Sequence, residues 1–257
     1  MCFNISLLSP LNWELLAGGD LPGYDIPPGL IYRSNAFSNP LHPIRCMDRK
    51  DAHILSRWGL VPGWVKDGEQ ARAVRRSCYN ARGETMFSKP AFRTAAKGAR
   101  CLVPVTGFFE FREVAGKRYP YHIRMMDGRT FGLGGLYQDT TLLSGHPERT
   151  FSIVTTDANE LLGFVHNTKF RMPLILPRGK EDAWLDDGAT PEKVQWLIAP
   201  YQGNDLEAYP VTRDLLKGSG LKDPSKAIER VHYADLDQTS LDDIGPLRSS
   251  SSERRSS

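Results

Sequence analysis

The sequence predicts an α+β domain with a mainly antiparallel, curved or barrel-like sheet and a few short flanking helices. Two observations favour this class. Strand-like segments dominate the 257 residues, and the helical segments occur singly or in pairs, without the strand–helix–strand regularity of a parallel sheet. The predicted strands cover residues 3–8, 101–113, 119–126, 130–137, 150–156, 171–176 and 206–211.

The first predicted strand begins directly after Cys2, so we expect it to hold the N-terminus in place. Residues 17–43, rich in Gly and Pro, are predicted to be loop with short extended pieces. In the strand at 101–113, Pro104 and Gly107 indicate an edge, a bulge or a bend.

The Asp127-Gly128 pair is typical of a β-hairpin turn between the two strands that flank it. Four short helices are predicted at residues 88–98, 159–165, 180–187 and 191–199. In the first of them Ser88 is a suitable N-cap, Pro90 falls in the first turn and Gly98 is suited to the end.

The composition is that of an ordinary globular chain, with 40% hydrophobic and 25% charged residues. We expect one domain over residues 1–245 and a disordered tail over 246–257. We expect no membrane-spanning segment and no signal peptide, because the sequence shows neither a long enough apolar run nor an apolar stretch behind a basic start. The four cysteines show no C-x-x-C pairing, which argues against a zinc ribbon and against a disulfide framework, and we therefore expect a reducing compartment, the cytoplasm with nucleoid association. They are Cys2, Cys46, Cys78 and Cys101.

The net charge of +3 is unevenly distributed along the chain. Basic residues dominate the region from Arg57 to Arg112, whereas acidic stretches come later, near 181–187 and 235–243. A basic region of this kind suits a polyanion-binding site, and a solvated surface is the alternative.

Cys2 is the first candidate for chemistry. Removal of Met1 is plausible, because it requires a small second residue and Cys2 is small. That removal would leave an α-amine and a thiol on one residue. Such a 1,2-aminothiol can trap an aldehyde as an imine and close it to a five-membered thiazolidine. It can also attack an acyl carbon, as N-terminal nucleophile hydrolases do. The remaining alternative is a small buried hydrophobic residue.

Three further candidates each have a structural alternative. Glu110 lies between Phe109 and Phe111, where burial would raise its pKa and suit it to acid–base catalysis, unless it points to solvent. His166 follows a predicted helix, where a side chain can reach a cleft; the alternative is a histidine that only fills the surface or the core. In Asn80-Ala-Arg82, the Asn80 amide could orient a substrate and the Arg82 guanidinium could bind phosphate; the alternative is a structural turn with a surface arginine.

Together these motifs occur in an order that resembles the SOS response-associated peptidase (SRAP) family, proteins that crosslink to abasic sites in single-stranded DNA. The resemblance runs from residue 2 to about residue 212. It rests on Cys2 behind Met1, Trp58 and Trp64 around a Pro-Gly turn, Asn80-Ala-Arg82, the run that begins at Arg100, Gly107-Phe-Phe-Glu110-Phe, and His166 before Arg171-Met-Pro173.

The resemblance implies a role for each candidate. Cys2 would be the covalent nucleophile, its amine forming the first Schiff base. Glu110 would move protons, His166 would help to open the sugar ring and assist reversal, and Asn80 would position the terminus or the deoxyribose. The chain departs from the family's common Cys-Gly-Arg start, because Phe3 and Asn4 follow Cys2.

The resemblance also implies single-stranded DNA with abasic sites as the partner, including junctions with duplex. The sequence shows no site for a metal or cofactor, and a monomer is the default expectation. The formal activity would be a thiol peptidase that removes Met1, with lyase-like crosslinking chemistry. The expected DNA contacts are Arg82, Trp58, Trp64, Pro40, Lys89, Arg93 and Arg171. The alternatives are an N-terminal-nucleophile peptidase or amidohydrolase acting on acyl substrates, and a non-catalytic single-strand binder.

Overall fold

The computed structural model describes residues 2–8, 30–217 and 220–237, which form twelve strands and five short α-helices. The strands are β1 (Asn4–Leu7), β2 (Ile31–Asn35), β3 (Leu41–Cys46), β4 (Arg49–Trp58), β5 (Asn80–Arg82), β6 (Arg100–Val105), β7 (Gly107–Val114), β8 (Lys117–Met125), β9 (Phe131–Thr140), β10 (Glu148–Asp157), β11 (Arg171–Pro173) and β12 (Leu206–Pro210). The helices are α1 (Gly68–Arg75), α2 (Arg93–Gly98), α3 (Glu160–Val165), α4 (Glu181–Trp184) and α5 (Pro191–Trp196). The expected α+β class is confirmed.

The first sheet has five antiparallel strands in the order β12-β8-β7-β1-β2. Its β7–β8 hairpin turns through Ala115 and Gly116, with φ values of 48° and 72°. Two successive positive φ values are the signature of the type I′ turn, whose twist matches that of the flanking strands. β1 lies between two other strands, and its four residues are all buried.

The second sheet closes into a barrel. Strands β10, β4, β3, β6 and β9 pair in that order, and β9 pairs again with β10. β5 and β11 also pair with β10, and the β10 pairings with β4 and β5 are parallel. The core includes Trp58, which stacks on Phe151 with ring centroids 5.8 Å apart. The expected barrel-like sheet is therefore confirmed.

The prediction of a β-hairpin at Asp127-Gly128 is wrong. A turn is present, since Gly128 N–H donates to the Met125 carbonyl at 3.0 Å, but β8 and β9 belong to different sheets. The two edges of β8 are occupied by β7 and β12. The chain therefore uses this turn to pass from the first sheet to the barrel.

The strand expected over 101–113 is divided into two strands at Thr106. β6 pairs with β3 and β9 in the barrel, whereas β7 pairs with β1 and β8 in the other sheet. Thr106 N–H donates to the Ser6 carbonyl at 2.9 Å, which fixes the crossing. The bend expected from Pro104 and Gly107 is present, and it joins the two sheets.

The expected helices are present but shorter than predicted. α2 begins at Arg93, beyond the expected N-cap Ser88, whose hydroxyl donates to the Thr85 carbonyl at 3.0 Å. β2 and β3 occupy part of the loop predicted at 17–43. Residues 9–29 of that prediction, and the tail at 246–257, lie outside the described residues. Within the described ranges, the helices are too short or too polar to cross a membrane.

Gly107 lies against a buried hydrogen-bond chain. Ser6 Oγ donates to His122 Nε2 at 2.9 Å, and His122 Nδ1 donates to the Tyr209 hydroxyl at 3.0 Å. A Cβ on Gly107 would lie 2.3 Å from His122 Nε2. The Gly107→Ala variant is therefore expected to lose about 2–4 kcal/mol of unfolding free energy, through overpacking and a broken hydrogen bond.

Urea unfolding measures this effect, with Gly98→Ala as the matched control. A Cβ on Gly98 would meet no atom within 4 Å at the end of α2. The control should unfold within about 1 kcal/mol of the parent chain. Equal midpoints for the two variants would contradict the assigned packing.

Candidate functional site

Cys2 lies at the start of β1 and is fully buried. Its Sγ donates to the Asn4 carbonyl across 3.7 Å. Burial raises the pKa of the Cys2 thiol, and the nearby Glu110 carboxylate raises it further. The thiol is therefore protonated at neutral pH, and it needs a base to become a nucleophile.

Glu110 is carried on β7, the strand next to β1. The β1–β7 register pairs Asn4 with Phe109, so its extension by one residue places Phe3 opposite Glu110. The carboxyl is 2% exposed, and the solvent-facing alternative is therefore wrong. Desolvation raises the pKa of Glu110 to about 7, in the range where a carboxyl both gives and accepts protons at neutral pH.

His166 follows the last residue of α3 and faces Glu110. Its Nδ1 lies 3.7 Å from Glu110 Oε2 and 2.8 Å from the Arg171 carbonyl. Because a carbonyl oxygen only accepts, Nδ1 carries the proton and Nε2 is the acceptor nitrogen. Burial lowers the pKa of His166 to about 4, so the ring is neutral at pH 7.

Asn80 begins β5, which pairs with β10 through Ile153. Its Oδ1 and Nδ2 atoms are buried, and neither makes a hydrogen bond with any residue that the structure describes. A buried amide without partners costs about 1–3 kcal/mol. Arg82 is two residues further along the strand and is exposed, so the two side chains share one face. This face can therefore receive a polar ligand at Asn80 with an anionic group nearby.

Arg171 does not fit its expected role as a phosphate contact. Its guanidinium makes two hydrogen bonds to Glu84, at 2.8 and 2.9 Å, and one to Asp157 at 2.7 Å. It also donates to the Thr155 carbonyl at 2.9 Å. The side chain thus ties β10 and β11 together, and the Arg171 carbonyl orients His166.

The two tryptophans differ in exposure. Trp58 is fully buried and donates its indole N–H to the Tyr79 carbonyl at 2.9 Å, so the expectation that it stacks on a base is wrong. Trp64 is 48% exposed and donates to the Pro90 carbonyl at 3.2 Å. Pro40 is half-buried before β3. Lys89 and Arg93 are exposed near the start of α2, as a phosphate contact requires.

Two features of the site were missed at the level of sequence. Arg112 donates to the Phe164 carbonyl, and its guanidinium lies 3.6 Å from the centre of the Phe164 ring. It therefore fastens α3, the helix that His166 follows, to the strand that carries Glu110. The period-two pattern of a strand places Arg112 on the face of Glu110 and could have identified it. Phe37, the second feature, lies in the short 3₁₀-helix Ala36–Ser38, and no periodicity in the sequence identifies it.

Cys2, Glu110 and His166 thus bring together a thiol, a carboxyl that titrates near neutrality and a neutral imidazole of fixed tautomer. These groups suit nucleophilic attack on a carbonyl carbon with proton transfer by Glu110. Asn80 follows Tyr79, whose ring meets that of Phe3 edge-on with centroids 6.3 Å apart. Over the described part of the chain, no three His, Cys, Asp or Glu side chains are grouped so that they could hold a metal ion.

The chain is similar to a family model and to solved structures. The family model described as SOS response associated peptidase (SRAP) matches residues 28–217, a range that includes Asn80, Glu110 and His166 and begins after Cys2. A crystal structure of a protein from Bacteroides thetaiotaomicron superimposes with a TM-score of 0.72 at 35% identity, covering 78% of this chain and 85% of that chain.

Two similar proteins carry names that refer to abasic sites. Abasic site processing protein YoaM from Bacillus subtilis is 37% identical over 158 residues, which are 61% of this chain and 66% of that protein. Abasic site processing protein HMCES from Gallus gallus is 30% identical over 178 residues, which are 61% of this chain and 51% of that protein. The similarity therefore spans from half to about two thirds of these relatives.

Proposed function

Because the chain belongs to the SOS response associated peptidase family, we propose that it processes abasic sites in single-stranded DNA by joining the lesion covalently to Cys2. The observation that carries the proposal is the meeting of Cys2, Glu110 and His166 where β1 starts. Removal of Met1 would provide the α-amine, and the names of two relatives indicate the substrate.

The first step opens the sugar of the abasic nucleotide. His166 Nε2 takes the proton of the C1′ hydroxyl, and the Glu110 carboxyl gives a proton to O4′ as the C1′–O4′ bond breaks. This assignment follows from the protonation of the two groups at neutral pH, where His166 is neutral and Glu110 is partly protonated. The resulting imidazolium and carboxylate face each other at 3.7 Å, so each stabilises the charge of the other.

The second step forms the imine. The neutral Cys2 amine attacks C1′, its excess proton passes to Glu110, and the imidazolium protonates the oxygen. Glu110 then returns its proton as water leaves, and an iminium remains. In the third step the Glu110 carboxylate takes the thiol proton while Sγ bonds to C1′, and the C=N electron pair returns to nitrogen. The sum is one amine, one thiol and one aldehyde giving one thiazolidine and one water.

The remaining residues bind the DNA strand. Asn80 would hydrogen-bond the deoxyribose or the terminus, which satisfies its buried amide. Arg82, Lys89 and Arg93 would contact phosphates, so affinity should fall as salt rises. Trp64 and Pro40 provide surface for a base at a junction with duplex, and the chain would act as a monomer.

A single-stranded oligonucleotide with one uracil tests the proposal, with and without uracil glycosylase, on a denaturing gel. We expect a shifted band that requires the glycosylase and survives denaturation. After denaturation and alkylation, a thiazolidine adduct should carry one alkyl group fewer than the four cysteines allow. No shifted band from protein shown by mass spectrometry to lack Met1 would reject crosslinking. Cleavage of a peptide without DNA would then favour the hydrolase alternative.

A further inference from the structure

Three aromatic rings form a cluster beside the candidate site. Phe37 stacks on Phe3 with ring centroids 5.0 Å apart, and it meets Tyr79 edge-on at 5.5 Å. Phe3 directly follows Cys2 in the chain, and Tyr79 directly precedes Asn80. Phe37 is therefore packed against the neighbours of two site residues that come from different sheets.

The Phe37 ring is exposed, although Phe3 is half-buried and Tyr79 is buried. Phe37 is 64% exposed, whereas Tyr79 is 3% exposed. The fold gains little from holding an aromatic ring in water at this point, since such rings stabilise a protein chiefly through burial. The open part of the ring is thus available to another flat apolar group.

Hydrogen bonds fix the turn that presents this ring. Ala36 N–H donates to the Phe3 carbonyl at 2.9 Å, and Phe37 N–H donates to Asn35 Oδ1 at 3.0 Å. Asn39 Nδ2 donates to the Tyr79 hydroxyl at 3.3 Å. Because the turn is already ordered, little conformational entropy of the protein would be lost when a ligand stacks on Phe37.

We propose that Phe37 is the platform on which the base next to the abasic nucleotide stacks during attack by Cys2. This inference rests on the proposed function and names a subsite for it. An abasic nucleotide has no base, so one face of the adjacent base lacks its stacking partner and is exposed to water. Phe37 covers that face. Because a purine has the larger π surface, affinity is greater with a purine next to the lesion than with a pyrimidine.

The experiment measures binding of an oligonucleotide that carries a tetrahydrofuran abasic analogue, which has no aldehyde, beside a fluorescent 2-aminopurine. The variants are Phe37→Ala, Phe37→Leu and Phe37→Trp. The control is Met126→Ala, because Met126 is 59% exposed and follows β8, far along the strand from the partner of Glu110. Thermal unfolding checks that each variant is folded.

The parent chain should quench the 2-aminopurine on binding. Phe37→Ala should weaken affinity by about 5-fold to 150-fold and remove the quenching, since stacking on an aromatic side chain contributes that factor per base. Phe37→Leu should resemble Phe37→Ala, and Phe37→Trp and Met126→Ala should resemble the parent. If the parent chain crosslinks aldehyde-bearing DNA but Phe37→Ala binds the analogue and quenches 2-aminopurine as the parent does, the stacking inference alone is overturned. A parent chain that forms no crosslink would instead reject the proposed function.

Discussion

Cys2→Ala and Cys2→Ser are both expected to lose the adduct that survives denaturation, although each variant keeps an α-amine once Met1 is removed. The amine can still form an imine with the aldehyde, but only the thiol closes it to a thiazolidine. Both variants should therefore be trapped on abasic-site DNA when borohydride reduces the imine. A denaturing gel with and without borohydride measures this difference.

Cys78→Ala is the matched control, because Cys78 is also a free and buried cysteine but packs in a different core cluster. It should crosslink like the parent chain. An unreduced adduct that persists in Cys2→Ala would show that another residue is the nucleophile. Absence of borohydride trapping in both Cys2 variants would instead remove the amine from the first step.

Glu110→Gln is expected to slow crosslinking about 10²-fold to 10⁴-fold, the usual range for a general acid–base residue. The pKa of Glu110 is raised to about 7 by burial, so its acid form declines above that pH. The α-amine, with a reference pKa of about 7.7–8.0, reacts only when neutral, so the rate falls in acid. The parent chain should therefore give a bell-shaped profile.

Single-turnover rates between pH 5 and 9 measure this profile. The glutamine variant should keep the acidic limb, which belongs to the amine, and lose the alkaline limb. Its affinity for the tetrahydrofuran oligonucleotide should equal that of the parent chain. A variant rate equal to the parent rate at pH 7 would exclude Glu110 from proton transfer.

The same substitution also separates the role of Glu110 in the fold from its role in the reaction. Since its folded pKa of about 7 lies above its ordinary value of 4.5, the folded state holds a proton that the unfolded state releases between these two values. The contribution of this proton to stability is present in acid and is lost as pH rises through 7. Glu110→Gln should remove that loss, so the variant should be more stable than the parent at pH 8.

The sequence predicted those parts of the site that depend on local pattern. Cys2 before a strand and Glu110 among phenylalanines are local features, and the structure buries both. The wrong hairpin prediction at Asp127-Gly128 shows what a local pattern does not determine. These residues favour a turn, but whether the flanking strands pair depends on which sheet edges remain open, and distant strands decide that.

Aromatic and charged side chains were harder to assign for a similar reason. Trp58 and Trp64 lie in one short motif, yet Trp58 is fully buried and stacks on Phe151, whereas Trp64 is half exposed. Arg171 was expected to contact phosphate, but in the fold it forms ion pairs with Glu84 and Asp157, which lie in other segments of the chain. Burial and charge pairing are properties of the assembled fold, and a single sequence does not specify the partner.

The complete burial of Cys2 sets an order of events during synthesis of the chain. Cys2 is covered once β1 has paired with β7. The pairing needs Gly107, Phe108 and Phe109, which are synthesised about 100 residues later, roughly 5–20 s after the N-terminus at ordinary elongation rates. The proposed function requires removal of Met1, and the late synthesis of β7 leaves the N-terminus accessible to an aminopeptidase during that interval.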